Sequence, residues 1–394
     1  MTKPYDALEG RSPEARARDQ ADALKAQLRR AAGLPGYGGS LVADAEALAN
    51  LPVLRKSDLS ALQKEEPPFG GLTGGGFAYR FQSPGPIYEP GQRGGDWWRL
   101  GRFLHAAGIG SDDVVQNCFG YHLTPAGHMF ESGAEAVGAA VIPAGTGQTE
   151  LQVEAAAALG ATAYAGTPDY LKVILEKADE MGVSLGIKKA VVSGGALFPS
   201  LRDWYADRGI VCTQCYATAD LGLIAYEVPG EEGMIVDEGV IVEIVTPGTG
   251  DAVPEGEVGE VVVTTLNPDY PLIRFATGDL SAVLPGTSDS GRTNMRIKGW
   301  IGRADQTTKI KGMFVRPEQV AALVAKHDEI DRARVVASRE GEADRMIVRV
   351  EGAGVDTAAV ASSVKDVLKL SGEVEVVDAL PRDGIVIEDT RTYD

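Results

Sequence analysis

Between Ser12 and Leu34 apolar residues recur three and four apart, Pro13 stands in the first turn and arginines take the outer face. That pattern predicts an N-capped helix. After LPVLRKSDL the periodicity dissolves. The stretch PFGGLTGGGFAYRFQSPGPIYEPGQ holds too many glycines and prolines for regular structure, so Gly70 to Gly91 is expected to be loops around a short strand. From Gly94 to Trp204 helical stripes (DWWRLGRFLHAAG, AGHMFESGAEAVG, TELQVEAAAALG, PDYLKVILEKADEMG) alternate with short apolar runs (AAVIPAG, ATAYAG, KKAVVSGG, with GIVCTQCY following). Such alternation implies a largely parallel sheet covered by helices, with ligands beyond the carboxyl ends of its strands.

The pattern changes at Gly239, from which GVIVEIVTPGTGDAVPEGEVGEVVVTTL reads as a strand–turn–strand ribbon, and antiparallel strands are expected to about Trp300. The tail then runs hairpin (TTKIKG), helix (PEQVAALVAKH), two strands (RARVVAS, DRMIVRVEG), helix (AAVASSVKDVLKL) and strand (EVEVVDA). The fold class is therefore α/β, with a large domain over 1–302 and a small α+β domain over 303–394.

The 394 residues contain no apolar run of membrane-spanning length, and the first residues carry no apolar signal core, so no membrane partner and a cytoplasmic location are expected. A net charge of −18 argues against nucleic acid as a partner. Basic residues are nevertheless concentrated from Arg292 to Arg316, where Arg292, Arg296, Lys298, Arg303, Lys309, Lys311 and Arg316 face the single acid Asp305. A cationic zone on an acidic chain suits a small polyanion, though it also reads as a solvated hairpin. Cys212 and Cys215 form one CxxC inside an apolar run, and with no second pair they read as core residues rather than zinc ligands.

Chemistry concentrates in a few segments. YPLIRFATGDLSAV contains a Thr-Gly-Asp expected as a turn, and IGRADQTTKIKGMFVRPEQV follows. Upstream stand VSGGALFPSLRDW, QCYATADLG, GYHLTPAGHMF and PAGTGQTELQV. In this order the segments resemble the signatures of the phenylacetate–coenzyme A ligase family, within the adenylate-forming superfamily. The resemblance runs from LPVLRKSDL to DGIVIED. It implies that Asp279 holds the ribose hydroxyls, a task suited to a carboxylate that accepts both hydroxyl hydrogens. It implies that Arg303 lies near the nucleotide and that Asp305 is the hinge of a mobile C-terminal domain. Ser193, Gly194 and Gly195 would lie along adenine, with Tyr216 covering the base and Ala217 and Thr218 beside it. Asp220 falls at the magnesium-binding carboxylate, although Ala217 and Asp220 replace the family's Gly and Glu. Tyr121 and His122, with Ala217, would border the acid pocket, and Lys309, Lys311 and Arg316 would serve coenzyme A and phosphate.

Two departures stand out. The family's phosphate loop, S-S-G-T-T-G-x-P, has its best counterpart in Ser83 to Pro90, where only Ser83, Gly85 and Pro90 survive. Three prolines there remove amide donors, and Glu89 adds negative charge. At the C-terminus, LPRDGIVIEDTRTYD places Ile385 where related sequences carry the lysine of the adenylation step. No GxSxG, HExxH, Walker A or strand-to-helix GxGxxG offers a competing chemistry.

The implied activity is AMP-forming ligation of a small carboxylic acid to coenzyme A through an acyl-adenylate, with ATP, Mg2+ and coenzyme A as cofactors, in a monomer or homodimer. Two alternatives stay open. One is an adenylating enzyme with another acceptor. The other is a relative impaired in adenylation that binds nucleotide or acyl-CoA.

Overall fold

The computed structural model describes residues 2–38, 45–84, 86–195, 197–306, 308–310, 313–340, 343–381 and 385–391, with backbone alone at 45–47, 303, 305, 309, 313, 314, 318, 340 and 343. The chain separates into two compact units, Met1–Thr277 with Ala282–Trp300, and Gly278–Ser281 with Ile301–Asp394.

In the first unit, Ser12 caps the helix Pro13–Ala32 by accepting from the amide of Ala15 at 3.2 Å, as its sequence predicts. The alternating region forms a parallel sheet in the order Ala140–Ile142, Val114–Asn117, Ala163–Gly166, Lys189–Val192, Val211–Thr218. The connecting helices are Ala126–Ala136, Thr149–Leu159, Pro168–Met181 and Pro199–Asp207. Every residue of Ala163–Gly166 is buried, the signature of a strand with both faces covered. Cys212 and Cys215 are buried free thiols within this layer.

The strand Val211–Thr218 is where the sheet changes character. Val211 to Gln214 pair in parallel with Lys189–Val192, whereas Cys215 to Thr218 pair antiparallel with Gly222–Tyr226. The antiparallel region thus begins at Gly222, earlier than the expected Gly239. The reversal there needs a residue at φ +71° beside which a Cβ would meet the Trp98 carbonyl oxygen at 2.7 Å, so glycine is required. Beyond it the order continues through Met234–Val236, Arg296–Ile297, Phe275–Leu284, Val258–Thr265 and Val240–Val245.

Two other expectations need correcting. Gly70 to Gly91 holds two paired strands, Tyr79–Ser83 and Ile87–Gly91, rather than loops about one. A two-stranded ribbon tolerates Pro90 because it has edges on which a missing N–H costs no ladder bond. The helix within DWWRLGRFLHAAG covers Leu100–Ala106 only, since Asp96 and Arg99 take positive φ and the Asp96 carboxylate accepts from the Gly101 amide at 2.7 Å.

The second unit is built on a four-stranded sheet in the order Glu373–Val377, Ala343–Gly352, Ile330–Glu340, Ile387–Asp389. The helices Pro317–Val324 and Thr357–Leu368 supply Val320, Leu323, Val360 and Leu368 to its core. The hairpin of Thr308–Ile310 and Met313–Val315 was expected, whereas the closing strand Ile387–Asp389 was not.

Candidate functional site

Ser193, Gly194 and Gly195 follow the strand Lys189–Val192 at its carboxyl end, and Tyr216, Ala217 and Thr218 end the neighbouring strand. The two segments are tied by the buried Ser193 hydroxyl, which donates to the Cys215 carbonyl at 3.0 Å. Gly194 and Gly195 are exposed, and Gly194 has φ +71°, a conformation that bares its backbone without a side chain in the way. Tyr216 is buried, and Ala217 and Thr218 are half-buried. The Thr218 hydroxyl accepts from the Leu221 amide at 3.2 Å and so shapes the turn carrying Asp220.

That turn is held from outside the motif. Arg99 donates to the Leu221 and Leu223 carbonyls at 2.6 and 3.0 Å, and its guanidinium is anchored on Asp237 at 2.6 Å. Asp220 is thereby fixed pointing inward, with no side-chain exposure. Its Oδ2 lies 2.7 Å from the ammonium of Lys56, and Oδ1 has no partner among the described residues. Lys56 was not anticipated. It lies in LPVLRKSDL, 164 residues from Asp220, and no local pattern links the two.

Glu89 completes this buried group. The structure shows that the counterpart of the phosphate loop is no eight-residue loop. Ser83 pairs with Ile87, and Tyr88, Glu89 and Pro90 lie within a strand. Gly85 lies outside the described residues. Glu89 is fully buried, and neither carboxylate oxygen has a hydrogen-bond partner among the described residues. Burial first, then the charge of Asp220, push its carboxyl up to about 7, against weaker opposing pulls from Ser83 and Lys56. The Tyr270 hydroxyl, also without a partner among the described residues, is buried under the influence of both acids.

Ser83 and His122 are brought together. With Gln82, Pro84, Leu123 and Thr124 they line an open cleft of about 490 Å3. Exposed His122 stands at its rim, whereas Tyr121 is half-buried and its hydroxyl accepts from Asn117 at 2.8 Å. His128, which its helical setting gave no reason to single out, has Tyr79, Phe81 and Tyr121 around it at ring separations of 4.9, 5.5 and 5.2 Å.

The expected cationic zone is partly dismantled. Arg292 is buried against Glu9 at 3.1 Å and donates to the Thr2 and Lys3 carbonyls. Arg296 is spent on the Glu232 and Pro285 carbonyls. Both hold chain segments together.

In the second unit Asp279, expected in a turn, lies within the strand Phe275–Leu284, is buried and faces Arg303 in antiparallel register. Asp305 lies in the turn Ala304–Gln306, and Lys309 in the strand Thr308–Ile310. Lys311 lies outside the described residues. Arg316 sits before the helix Pro317–Val324, its amide donating to Gln319 at 3.0 Å. Ile385 is exposed, and the next amide, of Val386, donates to Gln306 at 2.7 Å. Position 385 is therefore pinned one residue away from a contact to the turn that carries Asp305.

These residues do not offer magnesium a cage. Among the described residues there is no group of three or more His, Cys, Asp or Glu side chains that could hold a metal. Magnesium keeps several waters in near-octahedral geometry. The Asp220 carboxylate has no exposure and one oxygen on an ammonium, so an ion would have to displace that ammonium to reach it.

No protein-family model matches the chain. The phenylacetate-coenzyme A ligase of Thermus thermophilus is 32% identical over 262 residues, 64% of this chain and 59% of that protein. The Escherichia coli phenylacetate-coenzyme A ligase is 30% identical over 265 residues, 64% of this chain and 60% of that protein. The matching part thus spans about three fifths of the length of these relatives. Among solved structures, 2-hydroxyisobutyryl-CoA ligase in an open conformation with 2-HIB-AMP and CoA matches at a TM-score of 0.83. Its identity is 22%, over 99% of this chain and 96% of that one. ATP-bound MatB from Rhodopseudomonas palustris matches at 0.57 and 15% identity, over 78% and 65%. The chain therefore resembles phenylacetate–coenzyme A ligases in sequence and has the fold of an adenylate-forming acid–CoA ligase.

Proposed function

We propose that this chain is an AMP-forming acid–coenzyme A ligase that works through an acyl-adenylate, in the cytoplasm, with adenylation as its weak half-reaction. The observation that carries the reading is the tie between Ser193–Gly195 and Tyr216–Thr218 at adjacent strand ends, with a bared glycine backbone suited to a base. Asp279 would hold the ribose, with Arg303 near the phosphate. Asp305 would be the hinge, and Lys309, Lys311 and Arg316 would meet coenzyme A. Tyr121 and Ala217 support a compact aromatic or hydroxylated acid as substrate.

In the first half-reaction a carboxylate oxygen attacks the α-phosphorus of ATP, and pyrophosphate leaves with the bonding electrons. In the second, the coenzyme A sulfur attacks the acyl carbon, its proton passes to solvent, and AMP departs. Catalysis of the first step requires amides and cations around the phosphates. Here Pro84 and Pro86 lack amide donors and Ile385 offers no charge, which supports the second reading as well: a chain that uses acyl-adenylate better than it makes it.

The test follows pyrophosphate and thioester separately, from acid with ATP and coenzyme A, and from synthetic acyl-AMP with coenzyme A. Thioester from acyl-AMP with slow pyrophosphate release is expected. Thioester from neither route, together with no AMP binding, would overturn the proposal.

A further inference from the structure

The Lys56–Asp220 pair lies two residues beyond the strand end that would cover the base, and it is built to stay in place. Asp220 is fully buried, and Arg99 and Gly222 fix the turn that carries it. Lys56 keeps about a third of its side-chain surface exposed (32%), whereas the Asp220 side chain has none. A charge-assisted contact at 2.7 Å in such surroundings is strong, because Asp220 would otherwise be left desolvated and unpaired. A divalent ion seeking Asp220 must displace the ammonium and shed its own water, which magnesium does reluctantly.

We propose that Lys56 is the resident cation of the nucleotide site, held on Asp220 in the place a divalent metal would take, so that AMP and acyl-adenylates bind this chain without metal. The ammonium supplies positive charge to the ligand's phosphate from a fixed position. This rests on the nucleotide-site reading above and deepens it by adding a ligand-facing residue and removing a metal requirement.

The experiment measures AMP binding by calorimetry, and thermal unfolding without nucleotide, each in EDTA and in Mg2+. For the unaltered chain the AMP dissociation constant should differ by less than about twofold between the two conditions, and Mg2+ alone should not move the melting temperature. Lys56→Met should weaken AMP binding in EDTA by about tenfold or more, and Mg2+ should restore part of it. Mg2+ alone should also raise that variant's melting temperature, because it then satisfies the vacated Asp220. Lys56→Arg, which keeps a cation, should remain metal-independent. Lys56→Met with Asp220→Asn should lose the Mg2+ response.

A tenfold gain from Mg2+ in the unaltered chain, or Lys56→Met binding AMP normally in EDTA, would overturn the inference. If AMP binds under neither condition, the nucleotide-site reading falls. The melting arm still decides the cation claim, since stabilisation of Lys56→Met alone supports it and its absence refutes it.

Discussion

Replacing Glu89 by glutamine should stabilise the protein above neutral pH and do little at pH 5. Glu89 is fully buried in the strand Ile87–Gly91 with both carboxylate oxygens unpartnered among the described residues, and its pKa rises from an ordinary 4.5 to about 7. An acid with a raised folded-state pKa holds its proton longer in the folded chain than in the unfolded one. Stability is therefore full below about 4.5, falls as pH rises through the window to about 7, and beyond it the whole penalty is in force. Between 4.5 and about 7, at about 1.4 kcal/mol for each step of one in pH, the penalty is about 3.5 kcal/mol. Glutamine keeps the shape and never ionises, so Glu89→Gln should gain about 2–4 kcal/mol at pH 8 and under about 1 kcal/mol at pH 5. All four tryptophans, at 97, 98, 204 and 300, belong to the first unit, so urea unfolding followed by tryptophan fluorescence reports on the right transition. Subtracting the parent curve from the variant curve at each pH cancels the other titrating groups. A difference that is flat from pH 5 to 8 would refute the reasoning, and a difference that shrinks with pH would reverse its sign.

Three further outcomes are expected. Ile385→Lys should raise single-turnover acyl-AMP formation by about a hundredfold, as several kcal/mol of charge stabilisation returns, while thioester formation from acyl-AMP stays nearly constant; equal adenylation by both versions would show that position 385 is not at the reaction. Asp279→Ala should weaken AMP binding by about 1–3 kcal/mol in calorimetry, and unchanged affinity would remove it from the ribose site. Gly222→Ala should cost about 2 kcal/mol or more in urea unfolding, because it combines a φ of +71° with a contact of 2.7 Å to the Trp98 carbonyl oxygen; a variant as stable as the parent would mean that the turn relaxes freely.

Local chemistry made much of this protein readable without coordinates. The Ser12-capped helix, the parallel strands between amphipathic helices and the order of elements in the tail all follow from periodicity and end signals that act within a few residues. The same holds for Ser193–Gly195 and Tyr216–Thr218, which end strands and so lie where such sheets leave room for ligands. Tertiary structure decided what depends on partners distant in sequence. The hairpin of Tyr79–Ser83 and Ile87–Gly91 hid behind glycines and prolines because its strands are set by cross-strand pairing, which local composition reports poorly. Burial of Glu89 and withdrawal of Arg292 and Arg296 from the cationic zone depend on what packs over them. Lys56 meets Asp220 across 164 residues because the fold seals an acid away from water, and a sealed charge requires an opposite charge that no local sequence pattern specifies.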